Sequence, residues 1–85
     1  MTVSYVVAAK DSAVGAFNRP FFVPALAVAA RSFVDEVNRV GEDNLMNRHP
    51  EDYELWLLGT FDDESGVFVS GELRPVARAK DVKQG

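Results

Sequence analysis

The stretch HPEDYELWLLGTFDDESGVF, residues 49–68, decides the fold. It opens on His49-Pro50, and a proline forces the residue before it into extended or turn geometry. Pro50, Glu51 and Asp52 read as the first turn of a short helix, where carboxylates meet free amides. From Tyr53 to about Asp62 the pattern is that of a strand. Alternation puts Tyr53, Leu55, Leu57 and Phe61 on one face and Glu54, Trp56, Leu58 and Thr60 on the other. Residues 62–66 make a hairpin loop, with Gly66 supplying the positive φ such a turn needs. The partner strand runs over about 67–73, and Pro75 stops it.

Working outward, residues 3–10 alternate as another strand, with Val3, Tyr5, Val7 and Ala9 on one side. Residues 11–15 are a turn-rich connection. Residues 17–23 form a second strand in which Phe17, Phe21 and Val23 share a face with Arg19. Pro20 removes one donor and favours an edge position. Residues 24–40 read as the single helix, with Pro24 in its first turn. Leu26, Ala30, Phe33, Val37 and Val40 form its buried stripe. Asp35 and Arg39 are spaced to pair, and Gly41 stands where a left-handed residue commonly ends a helix. Residues 42–48 are a polar loop.

The predicted fold is therefore α+β, in the order ββαββ: an antiparallel sheet of two hairpins with one helix packed on one face. Residues 1–75 form a single domain and residues 76–85 a flexible basic tail. Eighty-five residues leave room for one core only. With no cysteine, disulfides, thiolate metal sites and thiol nucleophiles are excluded. Hydrophobic residues make up 47% of the chain, which argues against disorder, and no apolar run reaches a membrane span. The first residues lack the basic and apolar regions of a signal peptide.

One helix covers one face of a four-stranded sheet. Trp56 and Leu58, with Phe22, then lie on a face the chain cannot bury alone, and such a patch signals a partner. That partner is either a second copy, in a homo-oligomer taken to be a dimer, or the stacked bases of single-stranded nucleic acid. The net charge of −4 opposes broad phosphate binding. Its distribution moderates this. Six of the 13 acids fall within residues 51–64, a segment with no lysine or arginine, so the rest of the chain is net basic. Candidate nucleic-acid-binding residues are Arg19, Phe22, Arg31, Arg48, Trp56, Arg74, Arg78 and Lys80; candidate oligomer-interface residues are Phe22, Trp56 and Leu58.

No constellation of catalytic groups emerges. His49 is the sole histidine and fits a hydrogen-bonding role at its turn better than catalysis. One histidine makes no convincing metal site. The acidic loop 62–66 lacks the ligand spacing of a calcium loop. Glu51/Asp52 and Asp62/Asp63 are adjacent residues whose side chains point apart, which suits a solvated surface. No cofactor, no metal and no enzymatic activity are expected.

Several segments taken together resemble a known family. They are Asp11-Ser12, Arg19-Pro20-Phe21-Phe22, Ala30-Arg31-Ser32-Phe33 with residues 35–38, His49-Pro50-Glu51-Asp52-Tyr53, Leu58-Gly59-Thr60-Phe61-Asp62 and Gly66-Val67-Phe68. In combination and order they resemble the small nonstructural, DNA-replication-associated protein of gokushovirus-like microviruses, phages with single-stranded DNA genomes. One departure lies at the helix entrance, where such proteins tend to carry a polar residue and this chain has Val23-Pro24. The resemblance implies a non-enzymatic phage protein that supports single-stranded DNA replication in the host cell cytoplasm by binding single-stranded DNA. It brings no established site residues. The competing class is a protein–protein module whose acidic surface binds a phage replication or host protein.

Overall fold

In the computed structural model, which describes residues 3–84, the alternating strand β1 (Val3–Asp11) lies inside an antiparallel sheet. On one side it pairs along its whole length with β4 (Tyr53–Asp62), from Val3 opposite Asp62 to Asp11 opposite Tyr53. On the other side it pairs with two short strands, β2 (Ala16–Phe17) and β3 (Phe21–Val23). β5 (Val67–Arg78) pairs with β4 and forms the far edge. Both hairpin turns use glycine in the left-handed region, Gly15 at φ 70° and Gly66 at φ 74°.

The α+β class holds, while the ββαββ order is only approximate. The expected second strand is broken in two at residues 18–20, where Pro20 has no N–H to give and the Asn18 amide turns in to the Ala9 carbonyl at 2.7 Å. Phe17 pairs with Lys10 but Phe21 pairs with Val7, a one-residue offset that reverses the phase of the strand. Phe17 therefore faces away from Phe21 and Val23. A bulge in β4 has the same effect. Val7 lies opposite Leu57 and Val6 opposite Gly59, so Leu58 is the extra residue. Beyond it Phe61 moves to the face of Trp56, contrary to simple alternation.

Helix α1 (Leu26–Asn38) covers the other face, burying Ala29, Phe33 and Val37 against Val7, Val23, Tyr53, Leu55 and Leu57. It starts later and ends earlier than predicted. Pro24 precedes the N-cap, Ala25, which makes no side-chain capping bond. Ala29 rather than Ala30 reaches the core, and Val40 lies past the end of the helix, 87% exposed. Gly41 does not adopt positive φ. Asparagine amides take the terminal carbonyls instead: Asn38 Nδ2 donates to Val34 O, Asn47 Nδ2 to Val37 O, and Asn44 Nδ2 to both Glu36 O and Arg39 O. The Arg39 guanidinium reaches Glu36 at 2.8 Å and Asp43 at 3.6 Å rather than the predicted Asp35.

The segment after α1 is not a plain loop. It contains α2 (Leu45–Arg48), capped by the Asn44 side chain, and a 3-10 turn at Pro50–Asp52. The C-terminal segment departs most. β5 continues through Pro75 to Arg78, since an edge strand tolerates a missing donor. The helical turn α3 (Ala79–Val82) then fills the end of the core, with Ala79 fully buried. Asn38 anchors it, donating to Val82 O at 3.0 Å and accepting from the Gln84 amide at 2.7 Å. Residues 76–84 are thus packed where a flexible tail was expected; residue 85 lies outside the described residues.

Candidate nucleic-acid interface

Residues directly opposite in an antiparallel pair share a face. The uncovered face therefore carries Ser4, Val6, Ala8 and Lys10 from β1, Glu54, Trp56, Gly59 and Phe61 from β4, and Phe17, Phe22 and Phe68 from their neighbours. The five aromatics fall into two groups. Phe22, Phe61 and Phe68 cluster with centroids 4.6 to 6.0 Å apart, and Phe22 and Phe68 remain 51% and 63% exposed. Phe17 and Trp56 meet edge to face at 6.3 Å.

Lys10 connects this second group to charge. Its ammonium lies 5.5 Å from the Phe17 ring centre and 5.8 Å from that of Trp56, within cation–π range of both. Trp56 Nε1 donates to Glu54 Oε1 at 3.2 Å, which fixes the indole on the sheet. Ala8, opposite Trp56, is completely buried, so the indole stands over a small side chain. Stackable rings and a cation thus stand together on a surface that α1 does not reach.

Of the residues singled out from sequence, Phe22 and Trp56 are on this face, and Arg78 joins them through its pairing with Glu54. Arg78 Nε also lies 3.5 Å from Asp81. Arg19 is exposed in the break between β2 and β3, at the edge of the face. The remaining bases are elsewhere. Arg31 is exposed on α1, behind the sheet; Arg48 ends α2 and donates to Glu42 O; Arg74 pairs with Leu57 on the helix side; Lys80 is exposed on α3. Leu58, as the extra residue of the bulge, has no partner on β1 or β5, but it lines a shallow cleft with Val6, Gly59 and Phe68 of the uncovered face. Sequence reasoning passed over Lys10, Phe17, Phe61 and Phe68. For Lys10 the signal was present in the phase of its strand; for Phe17 and Phe61 the break and the bulge concealed it.

Two other groupings carry polar chemistry. At the end of the core the Tyr53 hydroxyl donates to Asp11 Oδ2 at 3.1 Å. Burial pushes the phenol pKa up, and the Asp11 carboxylate adds to the shift. At the turn before β4, donor atoms of His49, Glu51 and Asp52 lie within 4.8 Å of one another, with His49 Nδ1 3.7 Å from Glu51. Groupings of this kind on so open a turn are common without an ion. No helix among the described residues is long and apolar enough to cross a membrane.

Among known families, the model described as Phage ORF5 protein matches residues 4–82. No curated protein and no solved structure matches the chain significantly.

Proposed function

The chain belongs to the Phage ORF5 protein family and is a phage protein; from that premise we propose that it is a non-enzymatic, nonstructural protein that binds single-stranded DNA during replication of a single-stranded phage genome. The observation that carries this reading is the placement of Lys10 over Phe17 and Trp56 on the uncovered sheet face. Aromatic rings accept bases of any identity, at roughly 1–3 kcal/mol per stacked base, while nearby cations meet the phosphates. The second group, Phe22, Phe61 and Phe68, extends the apolar surface along the same strands. Lys10, Arg19 and Arg78 are the bases in position to neutralise phosphate. Arg31, Arg48, Arg74 and Lys80 lie away from this face and are not needed for the reading.

The net charge of −4 makes affinity modest and salt-sensitive. Trp56 is the only tryptophan, so its fluorescence reports directly on the face. Titration with oligo(dT) should quench it. With about three phosphate contacts, log affinity should fall against log salt with a slope of roughly 2. Lys10→Ala should weaken binding at least fivefold and reduce the slope, whereas Arg31→Ala, behind the sheet, should change neither. Absence of quenching at low salt, or binding indifferent to salt, replaces this reading with the protein-partner one.

A further inference from the structure

We propose that the free edge of β5 pairs with β5 of a second copy of this chain, joining two sheets into one across a twofold axis perpendicular to the sheet. This goes beyond the nucleic-acid reading and does not depend on it. Among the described residues β5 pairs only with β4, so its outer edge is a row of backbone groups open to another strand. The opposite edge of the sheet is blunted: β2 and β3 have two and three residues and are interrupted around Pro20. β5 has 12 residues, and its proline stands near the core end. The half nearer the turn has no proline and is apolar on both faces, with Val67, Phe68 and Val69 all more than half exposed, before the register shift at residues 71–73.

The half of the β4–β5 hairpin nearest its turn, with β1 residues Val3 to Val6 alongside β4, is an arm reaching beyond the core. The radius of gyration is 13.4 Å, against about 12 Å for a compact chain of this length, and the long dimension of 42 Å is nearly twice the others. The β5 side of this arm is the one left without a neighbouring strand, and a further strand there adds to its stability. The charge pattern selects a second copy as the source of that strand. The turn of the arm carries Asp62, Asp63 and Glu64, while the core end of β5 carries Arg74 and Arg78. Antiparallel self-pairing brings each acidic turn alongside the partner's basic end, twice per dimer, as an isologous interface requires. Because the axis is perpendicular to the sheet, both aromatic faces lie on the same side of the joined sheet.

Sedimentation velocity at tens of micromolar should give a dimer of the 9.3 kDa chain, and Val67→Lys with Val69→Lys should weaken it at least tenfold while leaving the far-ultraviolet circular dichroism unchanged. Because the chain has no cysteine, introduced thiols map the axis without interference. A Cβ at Gly71 meets nothing within 4 Å, so Gly71→Cys is accommodated in the monomer. Mild oxidation should cross-link this variant to its own copy. Setting the acidic turn of one copy beside the basic end of the other puts the axis near Gly71, so Val67→Cys, four residues away and about 26 Å from its own copy, should not cross-link. A monomer in the parent protein, equal cross-linking at both positions, or a dimer that survives the lysine pair but is abolished by Trp56→Asp overturns the edge pairing, the last in favour of face-to-face packing. Oligo(dT) quenching of the lysine variant, read separately, keeps the nucleic-acid proposal and the dimer proposal independently testable.

Discussion

Gly59 shows how one residue sets the shape of a strand. It follows the bulge at Leu58, and a Cβ built there would run into the Val69 carbonyl oxygen, a backbone atom that cannot swing aside. Gly59→Ala should therefore separate β4 from β5 locally and destabilise by about 2 kcal/mol or more, as overpacking does; urea denaturation showing a loss under 0.5 kcal/mol would contradict this. Tyr53 gives the corresponding test of a polar contact. Its pKa is raised above the ordinary 10.0, so folding favours the neutral phenol. The associated stability is fully present below pH 10 and is lost as pH rises through the raised value. The unfolding midpoint of the parent should fall faster above pH 10 than that of Tyr53→Phe. The variant should itself be less stable near neutrality by about 1–2 kcal/mol, through loss of the bond to Asp11. Identical pH profiles for the two proteins would contradict the assignment.

At the scale of elements, α1 depends on packing at its middle and on side-chain amides at its end. Phe33 lies in the core between Ala29 and Val37, and Phe33→Ala should cost about 3–5 kcal/mol. A domain of this size has a net stability of roughly that amount, so loss of cooperative thermal unfolding is the expected result. Asn44 works at two helix ends together. Its Nδ2 donates to Glu36 O and Arg39 O at the end of α1, and its Oδ1 accepts from the Met46 and Asn47 amides at the start of α2. It is the only buried polar residue among those described, at 3% exposure. Asn44→Ala should cost about 2 kcal/mol, and hydrogen exchange should increase at the amides of Met46 and Asn47 well before global unfolding. Asn44→Asp would retain the cap on α2 but bring a carboxylate against two carbonyl oxygens, so it should rescue little.

For the molecule as a whole, the C-terminal residues close the structure. Val76 and Ala77 pack against the core, Ala79 is fully buried, and Asn38 holds the final turn by two hydrogen bonds. Ending the chain at Arg78 should expose the underside of α1 and destabilise by about 2 kcal/mol, the scale of a Val-sized side chain returned to water plus an orphaned amide. A truncated chain with an unchanged melting temperature would show that the last turn is an ornament of the fold rather than part of it. The same truncation bears on DNA binding. Lys80 and Lys83 are removed with it, but the bases on the aromatic face are retained, so oligo(dT) affinity per folded molecule should change little.

Local pattern in the sequence was sufficient for the α+β class, strands over 3–10 and 53–62, the acidic hairpin turn at Gly66 and a helix whose buried side contains Phe33 and Val37. These follow from periodicity and turn chemistry, which act over a few residues and need no distant partner. It was equally sufficient to identify an aromatic face that one helix cannot cover. What the tertiary structure alone decided depends on long-range register. The break at residues 18–20 and the bulge at Leu58 each shift a strand by one residue, and a one-residue shift exchanges faces. That moved Phe17 and Phe61 beside Trp56 and Phe22 and revealed Lys10 as the cation among them. Likewise, a basic, proline-interrupted C-terminus reads locally as a loose tail. Only the gap at the end of the core, and the Asn38 amide waiting there, explain why residues 76–84 fold back.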